Sequence, residues 1–397
     1  MTVAAPAAAP PRDPSAGPGR PPRLSVVVAV HDGEAVLPRS LAALAASRLP
    51  RAEWELVVVD DACADASVLR AAEHADVVVR LPGRPHGPAY ARNRGAEAAR
   101  GDLLVFVDAD VAVHPDTLGS FARLFAEEPE LSAAFGSYDA LPEAEGTVSQ
   151  FRNLLHHYVH QQGGGAAETF WSGCGAIRRA ALLDVGMFDE WHYPRPQVED
   201  IEMGRRLRSR GHRIELRPEI QGTHLKRWTL GGMLATDFAG RGVPWMRLLL
   251  QEGAVGEMRS LNLRPQERLS ALLALLTVVT LAAAGELFSH AGLFASAATF
   301  AGMVALNRGF YGFLLRARGP GFLLAAIPLH LLHYLTAGVA AAAGYVAHTM
   351  VGAPGATPEV EAQHALGIRS WPPCPRRPMG GTWSAVPGAR AAAPPRP

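Results

Sequence analysis

The sequence predicts an α/β fold, a mostly parallel twisted sheet with flanking helices, followed by a helical transmembrane region. Three observations carry that prediction. Short apolar runs alternate with helix-period segments through the first half of the chain, which is the pattern of βαβ units. Those runs are apolar on consecutive residues, as in strands buried on both faces of a parallel sheet. Beyond Arg268, charge nearly disappears over stretches long enough to cross a bilayer.

The elements follow in order. Leu24–Val30 (LSVVVAV) is a strand between Pro21-Pro22 and His31-Asp32-Gly33. Helical spacing follows at Val36, Leu37, Leu41 and Leu44. Residues 54–59 (WELVVV) form a strand that runs into Asp60-Asp61. Residues 68–75 form a helix, Val77–Arg80 a short strand, and 88–100 a helix carrying Arg92 and Asn93 that ends at Gly101. The apolar run Leu103–Val107 then leads straight into Asp108-Ala109-Asp110. Helices over 115–128 and 149–162 flank a strand at Leu131–Tyr138. The histidines of the second helix, His156, His157 and His160, have no acid in the H-E-x-x-H sense and read as a solvated or interfacial face. Residues 170–177 are extended, 178–184 helical, and Val198-Glu199-Asp200 opens a helix over 201–210, where acids suit the helix dipole. A last strand spans 213–216, and a polar, aromatic patch occupies 222–228.

Two strands therefore end in paired acids, at the sheet edge where open α/β folds bind ligands. In an extended Asp108-x-Asp110, both side chains fall on one side of the chain. Two hard oxygen ligands there suit Mg²⁺ or Mn²⁺ bridging to a diphosphate, although an isolated Asp-x-Asp also fits a solvated strand end. Glycine-rich phosphate loops are missing after the first strand, since VAVHDGEAV is neither GxGxxG nor GxxxxGK[ST]. That argues against a dinucleotide dehydrogenase and a P-loop NTPase. A net charge of +1 over 397 residues gives no field to recruit nucleic acid. Cys63, Cys174 and Cys374 form no CxxC pair, so neither a zinc knuckle nor a disulfide framework is supported.

The runs VVVDDACAD, ARNRGAEAARGDLLVFVDAD, GCGAIRRAALLDVGMFDE and VEDIEMGRRLRSRGHRI, in that order, closely resemble the family 2 glycosyltransferases with a GT-A fold, over roughly residues 24–245. The resemblance implies a nucleotide-sugar donor, with a bound Mg²⁺ or Mn²⁺ stabilising the departing diphosphate. By the same resemblance Asp110 holds the ion, with Asp108 on the ribose or the metal shell. Asp61, with Asp60 beside it, matches the position that reads the base, and Asn93 faces the donor. Asp200 matches the catalytic base of an inverting displacement, and Glu199 orients it or contacts the acceptor. His224 either closes the metal site or is a hydrogen-bonded loop histidine. Arg227 and Trp228 line the acceptor or phosphate path. His224–Trp228 also resembles the Q-x-x-R-W patch of processive polysaccharide synthases, with histidine in place of glutamine, which disfavours processivity. The turn His31-Asp32-Gly33-Glu34 departs from the family's Tyr-Asn-Glu type, so base or ribose selectivity is expected to differ.

Residues 230–250 read as an interfacial amphipathic element or a soluble core helix. Apolar runs at 269–288, 291–306 and 321–346 read as spans. Arg308, Arg316 and Arg318, in the connection between the second and third, place that loop and the catalytic domain in the cytoplasm. The expected organisation is a disordered tail over 1–23, a glycosyltransferase domain over 24–250, a transmembrane region over 251–350 and a disordered tail over 351–397. The expected protein is a multi-pass cell-membrane enzyme. It would move a sugar from a nucleotide-sugar, with a UDP-sugar as the expected donor, to a lipid-linked or glycan acceptor. Its rivals are a non-catalytic nucleotide-binding membrane scaffold and a processive polysaccharide synthase.

Overall fold

A computed structural model describes residues 22–253, 255, 264–287, 289–352 and 385–387. Most of the two expected tails lies outside the described residues. The chain divides into two compact units, Met1–Ser137 with Thr169–Leu225 and Ala356–Pro397, and Tyr138–Glu168 with Lys226–Gly355. The division is discontinuous in sequence, where the sequence reading drew one cut near residue 250.

In the first unit the order is β1 (Leu24–Val30), α1 (Leu37–Ala45), β2 (Trp54–Asp60), α2 (Ser67–Ala72), β3 (Val77–Arg80), α3 (Pro88–Ala98), β4 (Leu103–Val107), β5 (Val111–Val113), α4 (Thr117–Glu127) and β6 (Leu131–Tyr138). After the second unit's α5 (Thr147–Gln161) and two-residue β7 (Gly165–Ala166), the chain returns with β8 (Cys174–Arg178), α6 (Arg179–Asp184), α7 (Glu199–Ser209) and β9 (Arg213–His224). The sheet runs β3-β2-β1-β4-β8-β6-β9-β5, and Ala385–Pro387 pairs antiparallel outside β3, where the sequence reading placed no element. β1, β2, β3 and β4 are parallel neighbours, and β1, β2 and β4 are buried almost throughout. That explains their unbroken Val and Leu runs.

The sheet is mixed rather than mostly parallel. β8 runs antiparallel to both β4 and β6, and β5 antiparallel to β9. An apolar run looks the same in either direction, so extending the early βαβ rhythm into the second half gave the wrong sense there. β9 is also far longer than the expected 213–216, because Gly222 and Thr223 pair with Val113 and Ala112. Gly204 allows a close approach in this unit. A Cβ on Gly204 of α7 would lie 2.2 Å from Phe170 N and 2.6 Å from Thr169 C, so α7 seats directly on that backbone.

The second unit is helical: α5, α8 (Leu230–Ala235), a π-helix (Thr236–Gly242), α9 (Val243–Gln251), α10 (Pro265–Leu287), α11 (His290–Leu306) and α12 (Arg308–Val351). Phe151, Leu154, Met233, Phe310, Tyr311, Leu314 and Ala326 form its core. The histidines of α5 are not a solvated face. His160 is buried, His157 bonds the Tyr138 carbonyl at 2.8 Å, and the His156 and His160 rings lie 3.9 Å apart. α10 and α12 are long and apolar enough to cross a membrane, and α11 is shorter. Residues 308–318, expected as a loop, belong to α12, which breaks only at Gly319 (φ 81°, ψ 177°). Pro320 disfavours helical geometry in the residue before it, and glycine accepts the positive φ. Arg318 donates to the Ala140 carbonyl and to Gln150 Oε1, both at 2.8 Å.

Candidate active site

The candidate site draws on the carboxyl ends of β2 and β4, the start of α7 and the end of β9, all in the first unit. At β2, Asp60 Oδ1 accepts from Cys63 N at 2.8 Å. Asp61 accepts from His86 N and Gly87 N, each at 2.8 Å, one on each oxygen. Both acids are buried and organise the turns around them.

The Asp-x-Asp segment is not extended. Val111 N donates to the Asp108 carbonyl at 3.0 Å, closing a four-residue turn that separates β4 from β5. The two side chains therefore part company. Asp108 turns to Arg92, whose Nη2 donates to Oδ1 at 2.9 Å. Asp110 lies beside His224 at the end of β9, with Oδ2 and Nε2 3.6 Å apart. The pairing of Val111 with His224 and the bond from Leu225 N to the Asp110 carbonyl fix that approach.

Arg92 links the two acidic motifs. Its Nη1 donates to Glu199 Oε1 at 2.8 Å while Nη2 holds Asp108. Burial works against its charge, but Asp108, Glu199 and Asp200 outweigh that and hold its pKa above the ordinary arginine value. In the sequence Arg92 stands out only as a helix residue. Its partners are remote in the chain, so no local spacing marks them.

Glu199 and Asp200 open α7. Glu199 Oε2 accepts from Gln197 N at 2.9 Å. Asp200 Oδ2 accepts from Ser172 N and Ser172 Oγ, both at 3.1 Å, and Oδ1 from Ile201 N at 2.8 Å. Ser172 and Gly173 in turn adjoin the Asp-x-Asp turn, since Asp108 N donates to the Gly173 carbonyl at 3.1 Å. Ser172 was missed at the sequence level, where residues 170–177 read only as small and extended.

Asn93 has a different place from the one expected. Its Nδ2 donates to the Phe188 carbonyl and Glu190 Oε2, and its Oδ1 accepts from Phe188 N. The amide is buried and committed within the protein rather than turned to a donor. Arg227 and Trp228 lie in the second unit. Arg227 is exposed, and Trp228 N donates to Ser149 Oγ at 2.8 Å with the Lys226 ammonium 4.5 Å from its ring.

The donor set fits a small divalent cation. A carboxylate oxygen and an imidazole nitrogen 3.6 Å apart are too distant for a hydrogen bond and suitably placed to share one ion. Oxygen with one nitrogen suits Mn²⁺ better than Mg²⁺, a harder ion that takes oxygen ligands. Asp108 would contribute less directly, because Arg92 Nη2 bonds its Oδ1.

The sequence profile of glycosyl transferase family 2 matches residues 25–186. Residues 25–186 are a glycosyl transferase family 2 domain. Among relatives of this chain, the O-antigen biosynthesis protein RfbC of Myxococcus xanthus is 34% identical over 132 residues, 32% of this chain and 10% of that protein. The pre-mycofactocin glycosyltransferase of Mycobacterium tuberculosis is 28% identical over 222 residues, 53% of this chain and 44% of that one. The chain thus spans less than half the length of these relatives. A solved structure of the mannosyltransferase PcManGT from Pyrobaculum calidifontis, in complex with GDP-Man and Mn²⁺, is similar at 17% identity, covering 86% of this chain and 90% of that one with a TM-score of 0.48.

Proposed function

We propose that the protein is an inverting, metal-dependent glycosyltransferase. It moves a sugar from a nucleotide-sugar, with UDP-sugars the first donors to test, to an acceptor hydroxyl at the cytoplasmic face of the cell membrane, in the synthesis of an envelope polysaccharide or glycolipid. The observation that carries the reading is the Arg92 bridge. It links the Asp-x-Asp turn to the start of α7, as a shared site would require.

In this reading Asp200 is the base. Ser172 and Ile201 hold both of its oxygens, so its carboxylate is oriented before substrate arrives. It takes the proton of the acceptor hydroxyl as that oxygen attacks the anomeric carbon. The nucleoside diphosphate leaves with the bonding electrons, and the proton remains on Asp200. Glu199 contacts the acceptor or steers Asp200. Asp110 and His224 would hold the divalent ion, which when bound stabilises negative charge on the leaving diphosphate. Asp60 and Asp61 shape the turn that receives the base. Arg227 and Trp228 would serve the acceptor or phosphate path.

Membrane placement rests on α10 and α12, whose apolar side chains, such as Leu272, Val279, Leu324 and Val339, are exposed. The O-antigen relative supports an envelope product. The test is donor turnover by the full chain in membranes, with Mn²⁺, with Mg²⁺ and with chelator. Release of nucleotide from a UDP-sugar that stops with chelator and in Asp110→Asn is the expected result. Equal turnover with and without metal would overturn the metal-dependent reading. A scaffold predicts nucleotide binding and no turnover under any condition.

A further inference from the structure

A second cluster of ligating atoms lies at the carboxyl ends of β1 and β2, apart from Asp110 and His224. A ring nitrogen of His31, a carboxylate oxygen of Asp32 and Cys63 Sγ all fall within 4.8 Å of one another. The hydrogen bonding fixes what each atom presents. His31 Nδ1 lies 2.9 Å from the Asp61 carbonyl. A carbonyl only accepts, so Nδ1 carries the proton, and in neutral imidazole Nε2 is left with a lone pair. That lone pair sits 3.7 Å from Asp32 Oδ2. A cation between Nε2 and Oδ2 would find a donor atom on each side, and Cys63 belongs to the same cluster. Backbone bonding of the opposite ring nitrogen is also how metal-ligating histidines are usually oriented.

The remaining contacts preform the cluster. Asp32 Oδ1 accepts from Ala64 N at 2.7 Å. Cys63 Sγ accepts from Asp32 N at 3.3 Å and donates to the Val30 carbonyl at 3.4 Å. β1 and β2 are paired to their ends, Val30 with Asp60, so the two turns are held side by side.

We propose that His31, Asp32 and Cys63 bind a thiophilic divalent cation such as Zn²⁺, with a fourth position left to water. One nitrogen, one oxygen and one sulfur are ligands that Zn²⁺ takes in three-protein-ligand sites. Binding breaks the Cys63 S–H bond, forms a sulfur–metal bond and passes the proton to the buffer. The thiolate and the Asp32 carboxylate then balance the two positive charges. The bound ion ties the turn after β1 to the turn after β2.

The test titrates Co²⁺ into the full-length protein in detergent after chelator treatment. Asp110 and His224 carry no sulfur, so a thiolate-to-cobalt absorption band separates this cluster from that site. The expected result is one equivalent of Co²⁺ giving the band, displacement by Zn²⁺, loss of the band in Cys63→Ser, and affinity about tenfold or more weaker in His31→Ala and Asp32→Asn. Asparagine suits residue 32, which has φ 48°. No thiolate band in the wild type, or a band that survives in Cys63→Ser, overturns the proposal. Circular dichroism without metal checks that Cys63→Ser folds. If it does not, His31→Ala, altered at a half-exposed side chain, decides, and unchanged Co²⁺ affinity there overturns the proposal.

Discussion

Arg92 and Glu199 meet in a buried ion pair, Nη1 to Oε1 at 2.8 Å, while the same guanidinium holds Asp108 through its other terminal nitrogen. One planar fork therefore sets the separation between the strand end that carries Asp-x-Asp and the helix that carries Asp200.

Replacing Arg92 with methionine leaves Glu199 buried and Asp108 half-buried without their counter-charge. Breaking one side of a buried pair costs about 3–5 kcal/mol. Denaturant unfolding should show a loss of that order, and donor turnover should fall with it. Arg92→Lys should recover only part of either, because a single ammonium cannot fork to two carboxylates. Full recovery by lysine would show that charge alone matters and that the bridge does not set geometry.

Asp200→Asn keeps an oxygen able to accept from Ser172 but removes the base. Turnover should drop by about 10²–10⁴ while the thermal midpoint and nucleotide affinity stay near wild type. Ser172→Ala, which removes one of the two bonds to Oδ2, should lower turnover more mildly. A wild-type rate in Asp200→Asn would remove this residue from the mechanism.

Gly204→Ala tests how α7 is seated. Its new methyl would meet the Thr169–Phe170 backbone, which cannot rotate away as a flexible side chain would. Overpacking of this kind costs about 1–3 kcal/mol. Because α7 opens with Glu199 and Asp200, turnover should fall even at temperatures where the variant stays folded. Unchanged stability would mean that the helix and that backbone do not touch as described.

Asp237, in the π-helix of the second unit, gives a pH dependence. Burial pushes its pKa up, but Arg152, at 2.6 Å, and His333, at 3.0 Å, outweigh burial and bring it down to about 2. A carboxylate depressed in the folded state stabilises it above the unfolded value near 4, and that stabilisation is lost as pH falls from there towards 2. The loss should be about 2 kcal/mol. Comparing unfolding of wild type and Asp237→Asn across that window measures it, and parallel profiles would refute the assignment.

The order of elements was largely legible. Runs such as LSVVVAV and LLVFV specify buried strands by composition alone, and β1, β3 and β4 lie where those runs predicted. The two long apolar helices were legible for the same reason, although the helical stretch 308–318 was masked by its arginines. Strand direction was not legible. It depends on where a strand finds hydrogen-bonding partners, so β8, β6 and β9 made a mixed sheet from runs that read like parallel ones.

The site divides in the same way. By itself the sequence determined which acids are available and in what order, because Asp60-Asp61, Asp108-Ala109-Asp110 and Glu199-Asp200 are local patterns at the ends of periodic segments. Only the tertiary structure decided their partners. It sent Asp108 to Arg92 and Asp110 to His224, turned Asn93 inward, and set Cys63 beside His31 and Asp32. Hydrogen bonds and ion pairs act over about 3 Å, and residues that close are brought together by sheet pairing and helix packing rather than by spacing along the chain.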